Sequence, residues 1–179
     1  MKVKSIKLRA AIQFQAKNDV RHYLNGINIS KDYIEATNGH IAVRMNNCES
    51  FSGDGFIIKF IGSIPNKADT TEILKNERVC KHYDCDGSLI GAQAFDVLEG
   101  AYPDLSKVVP KTKKKDEFPP LQTKYLNVID AAFNQASNKF CTVKPVSYAL
   151  NEAVVFTVTQ STLKDEFGCP VILIIPSRD

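Results

Sequence analysis

Apolar residues recur at helical spacing near the start of the chain. Ile6, Ala10, Ile12 or Gln13, and Phe14 follow Ser5, a residue type suited to an N-cap. Residues 5–17 are therefore predicted to form an amphipathic helix with Lys7, Arg9 and Lys17 as its polar companions. After Asp19 the period changes to alternation. Leu24, Ile27 and Ile29 fall in one run, Tyr33 to Thr37 in a second and Ile41 to Met45 in a third, which predicts three strands. Lys31-Asp32 and Asn38-Gly39 sit at the junctions, and Asn-Gly tolerates the positive φ of a hairpin turn.

The pattern then repeats. Residues 48–55 are polar and glycine-containing, a loop, and GFIIKFIGSIP predicts a strand running into a short helical or irregular segment. TEILKNERVCKHYD and SLIGAQAFDVLEG predict two further strands about an Asp86-Gly87 turn. The stretch KVVPKTKKKDEFPPL has five lysines and three prolines with almost no apolar periodicity, so it reads as a solvated linker, with a basic strap touching DNA as the alternative. Beyond it, LQTKYLNVIDAAFNQASNKF starts as a strand and continues as a helix with Leu126, Ile129 or Asp130, and Phe133 in register. TVKPVSYAL, AVVFTVTQ and PVILIIPS complete the strands. A helical piece followed by strands thus occurs three times, at roughly residues 1–50, 51–110 and 116–179.

Composition narrows the function classes. The chain of 179 residues can bury one full domain plus a fragment, and its 44% hydrophobic and 24% charged content is ordinary for a globular protein. No segment approaches the roughly 18 to 20 apolar residues of a membrane span, and the basic N-terminus lacks the apolar run of a secretory signal, so a cytoplasmic location is expected. Five scattered cysteines, Cys48, Cys80, Cys85, Cys141 and Cys169, suit reduced thiols better than a disulfide framework. A net charge of +3 permits nucleic-acid binding without arguing for it.

Catalytic chemistry has little to stand on. His22, His40 and His82 are too far apart to suggest a cluster, and Cys80, His82 and Cys85 form a C-x-H-x-x-C that lacks the fourth ligand of a structural zinc site. Asp84 and Asp86 lie at a turn, where acids are usually solvated. No glycine-rich phosphate loop or nucleophile elbow is present. The expectation is a non-catalytic protein with no metal and no cofactor.

Three segments carry a resemblance. DVRHYLNGINIS followed by YIEATNGHIAVRM resembles the middle domain of the bacterial sliding clamp, the beta subunit of DNA polymerase III, which carries D-V-R-x-Y-L-N-G and then A-T-D-G-H-R-L-A-V. YPDLSKVVP is similar to the family's F-P-D-Y segment at the end of that domain, and ILIIPSRD to its carboxyl end. The resemblance implies an α+β DNA-clamp fold of three β-α-β-β-β-like units, with antiparallel sheets outside and helices on the inner face. It divides the chain into residues 1–110 as a complete middle-type domain, 111–118 as a linker and 119–179 as the C-terminal half of a last domain.

It also implies function. The family's peptide pocket would take Leu24, Thr37, Gly39, His40, Ile41 and Ala42 from one side, Pro103, Lys107 and Val108 from the junction, and Leu173, Ile174, Ile175, Pro176, Ser177 and Arg178 from the end. Lys7, Arg9, Lys17, Arg21, His22 and Tyr23 match positions in or just after a helix that would face DNA without reading sequence. The implied role is a replication accessory that binds clamp-binding peptides of DNA polymerase or repair proteins, with double-stranded DNA as a further partner. The alternative is a phage or mobile-element decoy or adaptor that keeps the pocket without encircling DNA. A lone half domain would expose a sheet edge and an apolar helix face, which predicts a homodimer through the C-terminal half or, as the alternative, packing of the third unit onto the second within one chain. Ile41, Ala42, Asn38, Ser177 and Asp179 depart from the family pattern, so peptide preference is expected to differ.

Overall fold

The computed structural model describes residues 1–47, 54–110, 118–135 and 140–177. Cys48 and most of the linker fall outside them. The expected class holds: among the described residues there is an antiparallel sheet of eleven strands with three α-helices on one face, an α+β architecture.

The first unit is β1 (Lys2–Lys4), α1 (Ser5–Phe14), β2 (Ile27–Ile29), β3 (Tyr33–Thr37) and β4 (Ile41–Asn46). Alpha1 ends earlier than its sequence pattern suggests, because Gln15 is extended. Leu24 belongs to a 3-10 turn, His22–Asn25, instead of the strand expected there. Ser5 is not a cap either. It is the buried first residue of α1, its N–H donates to the Asp69 carbonyl at 2.8 Å, and its hydroxyl shares a 2.7 Å hydrogen bond with Thr71. Its position is thus fixed by the second unit, and Lys4 precedes the helix without a side-chain cap.

The second unit contributes β5 (Phe56–Phe60), β6 (Thr70–Leu74), β7 (Val79–Tyr83) and β8 (Leu89–Leu98). TEILKNERVCKHYD forms two strands and not one, because Lys75 to Arg78 make a turn in which Arg78 takes φ 54°. No helix lies between β5 and β6, where Ile64 and Ala68 bury themselves from irregular backbone. Beta8 is long enough to serve two neighbours, pairing β7 through Leu89 to Ala94 and β5 through Phe95 to Leu98.

The third unit is α2 (Lys124–Phe133), β9 (Val143–Val146), β10 (Val154–Val158), α3 (Ser161–Phe167) and β11 (Val171–Ile174). The strand expected before α2 does not form, although the Pro120 carbonyl accepts a hydrogen bond from Ser177 N–H at 3.0 Å. Alpha3 was not anticipated. Beta11 joins β4 in antiparallel register, Ile174 opposite Ile41 and Leu173 opposite Ala42, so the strand order is β1-β6-β7-β8-β5-β2-β3-β4-β11-β10-β9.

Packing follows the same join. Tyr125, Ile129, Ala132 and Phe133 make the buried face of α2, and they share one core with Leu8, Ala11 and Phe14 of α1 and with Leu163 and Phe167 of α3. The apolar face that a lone half domain would expose is therefore covered by α1 of the same chain. Beta9 remains an edge, and it carries Pro145, which has no N–H to offer a further strand.

A buried polar chain ties the first two units. Ser5 bonds Thr71, the Thr71 hydroxyl bonds His82 Nδ1 at 2.9 Å, and His82 Nε2 is buried without a partner. Burial lowers the pKa of His82, and the charge of Arg9 lowers it further. The unfolded chain, with a histidine near pKa 6.5, binds the proton more readily, so stability is full above that value and falls as pH drops through it. The thermal midpoint is expected to drop between pH 7.5 and 5, and His82→Gln to flatten that dependence; equal slopes would remove His82 as the cause.

Candidate peptide-binding groove

The groove is built on a cross-strand row. Thr37 in β3 faces Ala42 in β4, and Ala42 faces Leu173 in β11, so the three side chains lie side by side on the outer surface of the sheet. Strand alternation sends Leu173 outward and Ile174 inward to the core. Leu173 joins Ala42, Leu105, Ala153 and Val155 in a separate outer cluster.

Two walls rise from this floor. On one side the 3-10 turn supplies Leu24, 1% exposed, and Tyr23, which packs close to Gly100. Arg21 lies over the Asn38-Gly39 turn, held by two 3.0 Å bonds to Asp19. Those bonds depress the Asp19 carboxyl to about 2. Gly39 takes φ +90°, a backbone angle that calls for glycine, and a Cβ there would stand 3.0 Å from Arg21 Nη2 at the end of that side chain. Asn38 closes the turn by accepting from His40 N–H and Ile41 N–H, at 2.9 and 3.1 Å.

The opposite wall is the segment after β8, with Pro103, Leu105 and Val108. Its 3-10 turn, Leu105–Lys107, is capped by Asp104, which accepts from Ser106 N–H at 3.0 Å. That bonding, led by the Ser106 side chain, holds the Asp104 carboxyl below its usual value. Tyr102 anchors the segment, its hydroxyl buried near the Thr37 backbone and its pKa pushed up by that burial. Ile175 closes the far end, its N–H donating to the His40 carbonyl at 2.8 Å. The His40 ring stacks on Tyr125 with centroids 6.2 Å apart and planes 17° from parallel.

These elements enclose a largely apolar cavity of about 190 Å³. The structure brings Leu24, Thr37, Gly39, His40, Ile41 and Ala42 together there with Pro103, Val108, Leu173 and Ile175. Lys107, Ile174, Pro176 and Ser177 do not line it, and Arg178 lies outside the described residues. Ile174 and Pro176 are buried, and the alternation that puts Leu173 outward explains Ile174. Arg21, Tyr23 and Leu105 line the cavity without having been assigned to it from sequence. For Arg21 and Tyr23 the signal was their place beside Leu24 in the same motif.

The residues expected to face DNA scatter. Lys7 is 5% exposed and donates to the Asn46 carbonyl at 2.9 Å, so it cannot present its ammonium to a phosphate. Arg9 donates to the Pro65 and Ala68 carbonyls at 3.0 Å each and to Gln135 at 3.2 Å. Lys4 pairs with Asp69 at 3.1 Å, and Asp165 and Glu166 of α3 line the same cavity as Lys7 and Arg9. Arg21 and Tyr23 belong to the groove, while exposed His22 bonds the Glu99 carbonyl at 2.8 Å. Lys17 is exposed in a polar cleft between α1 and α2, with Gln13, Lys124 and Asn127.

Among the described residues no three or more His, Cys, Asp or Glu side chains gather as a metal site, and no helix is long and apolar enough to cross a membrane. Cys80 is buried, which pushes its thiol to about 12, while Cys85 is exposed in the following turn. Cys80, Cys85, Cys141 and Cys169 are all free.

No protein-family model matches the sequence, and no curated protein matches it closely enough to count as a relative. Solved structures do match in fold. The DNA polymerase III beta subunit of Thermotoga maritima superposes with a TM-score of 0.63 at 11% identity, covering 100% of this chain and 65% of that one. The sliding clamp of Pseudomonas aeruginosa bound to griselimycin gives 0.60 at 13%, covering 100% and 65%. The beta subunit of Borrelia burgdorferi in complex with a natural product gives 0.57 at 14%, covering 99% and 64%. The chain thus spans a little under two thirds of the clamps it matches, and over its whole length it has the fold of the bacterial DNA polymerase III beta sliding clamps.

Proposed function

We propose that this chain is a sliding-clamp-like replication accessory, a binding protein and not an enzyme, whose groove holds a short apolar segment of a polymerase or repair partner. The observation that carries the reading is the cavity at the Thr37, Ala42 and Leu173 row, where three segments distant in sequence converge on one apolar concavity. Such a site, mostly apolar with a few polar groups at its rim, suits a peptide side chain. The same reading takes residues 1–110 as a complete clamp-type domain and 119–179 as a half domain docked on its first unit.

Fluorescence anisotropy with a labelled clamp-binding peptide tests this. The parent is expected to bind, and Val108→Asp or Ile175→Asp to weaken binding by about tenfold or more, since each places a charge in an apolar site. Val108 is 37% exposed, so its replacement leaves the core intact. No binding by the parent would remove the groove.

A second reading, an adaptor that keeps the groove without encircling DNA, is favoured by the α1 surface. Its basic residues Lys7 and Arg9, like Lys4 just before the helix, are bonded within the chain and sit beside Asp69, Asp165 and Glu166. Phosphate binding by counterion release needs free cations, and little of it is left at this end of the helix. Retention on nicked circular DNA at low salt separates the two. A protein that binds peptide yet washes off the circles is the adaptor, and one that stays on closed circles and leaves linear ends is the clamp.

A further inference from the structure

Two Asn-Gly pairs occur in the chain, Asn25-Gly26 and Asn38-Gly39, and the fold treats them differently. In such a pair the glycine nitrogen can attack the asparagine Cγ, because the glycine has no side chain to hinder closure of the five-membered ring. Around Asn25 the fold blocks that attack. Its Oδ1 accepts from Asp19 N–H and its Nδ2 donates to the Asp19 carbonyl, both at 2.9 Å, so both ends of the amide are held. Gly26 is buried, and a Cβ there would stand 2.8 Å from the Ile58 carbonyl oxygen and 2.9 Å from Ile57 Cγ2, so its backbone has no room to turn.

Asn38-Gly39 is arranged for the same attack. Asn38 Oδ1 accepts from His40 N–H and Ile41 N–H at 2.9 and 3.1 Å, and this is the oxygen that takes up negative charge as Cγ becomes tetrahedral. The Nδ2 amide, which has to leave, is held by no other group among the described residues. Gly39 and His40 are exposed, and the only atoms near a Cβ at Gly39 belong to the end of the Arg21 side chain, so water and base reach the turn. The Gly39 N–H donates to Thr37 Oγ1 at 3.0 Å, a bond given up when its proton is removed.

We propose that Asn38 is a self-deamidation site. The Gly39 N–H proton goes to hydroxide, the N–Cγ bond forms, and the Cγ–Nδ2 bond breaks as ammonia leaves with a proton from water. A second water opens the succinimide, at Cγ to give aspartate or at the main-chain carbonyl to give isoaspartate. Resting on the groove reading above, the two products act differently. Aspartate keeps the acceptor for the His40 and Ile41 N–H groups and so keeps the turn. Isoaspartate adds a methylene to the main chain and displaces Gly39 and His40, which line the groove, together with the His40 carbonyl that receives Ile175 N–H.

The test ages the full chain in mildly alkaline buffer at body temperature, folded and in urea, and follows the amide-to-acid mass gain by peptide mapping. Trypsin cuts after Arg21, Lys31 and Arg44, which puts Asn25 and Asn38 in separate peptides. In urea the two sites are expected to react at similar rates, and in the folded chain Asn38 is expected to react about tenfold or more faster than Asn25. Equal rates in the folded chain overturn the site. The isoaspartate fraction, isolated by chromatography, is expected to bind the clamp-binding peptide about tenfold more weakly than fresh protein, and equal binding overturns its effect on the groove. If fresh protein does not bind the peptide, the groove reading falls, while the mass gain at Asn38 against Asn25 still decides the site.

Discussion

Phe133→Ala is expected to cost about 3 to 5 kcal/mol of stability, the range for deleting a fully buried aromatic side chain. Phe133 has no exposed surface and stands between two other rings, with Phe14 of α1 at 6.2 Å and Phe167 of α3 at 4.9 Å between centroids. It is therefore the contact through which all three helices meet. The void cannot be filled by local collapse, because Phe14 is held beneath β3 and β4 and Phe167 by the turn that leads into β11. Chemical denaturation gives the loss directly. The variant is also expected to weaken peptide binding, since α2 and α3 support the sheet from which Leu173 and Ile175 reach the groove. A cost under about 1 kcal/mol would show that the third unit is not docked on the first as described.

Much of that docking was beyond sequence reading. Periodicity found α1 and α2, but it could not say that the two pack on each other, because a helix pattern shows a face and not its partner. Alpha3 escaped because seven residues with only Leu163 and Phe167 buried are too short for a helical period to emerge. Among the described residues the second unit has no α-helix, and Pro65 within SIPNKADT is consistent with that, since proline interrupts the hydrogen-bond ladder.

The groove was more legible than the helical face. Turns and strand ends near Asn38-Gly39 and Leu173 are fixed by local chemistry, so a motif there predicts position well. Lys7 is the opposite case. A lysine in a helix reads as a solvated charge, and only the tertiary structure shows its ammonium bonded to the Asn46 carbonyl beside Gly168. Leu105 was hidden for a different reason: its burial depends on a 3-10 turn capped by Asp104, a feature with no periodicity.

Gly168→Ala is expected to destabilise by about 3 kcal/mol or more, and the reason is space as much as conformation. Gly168 ends α3 with φ 72° and ψ 52°, the left-handed region, where alanine alone costs about 1 to 2 kcal/mol. A Cβ at this position would also overlap the Asn46 carbonyl oxygen and come within 3.0 Å of Lys7 Nζ. Neither neighbour has room to yield. Asn46 N–H donates to the Gly168 carbonyl at 2.7 Å, and Lys7 donates to the Asn46 carbonyl at 2.9 Å, so the end of β4, α1 and the α3 cap move together or not at all. Gly168→Asn separates the two causes. Asparagine tolerates the left-handed region far better than alanine but carries the same Cβ. If the collision dominates, the two variants lose stability equally in urea titrations; recovery of most of the loss by asparagine would show instead that the backbone angle is the cause and that β4 can shift to admit a side chain.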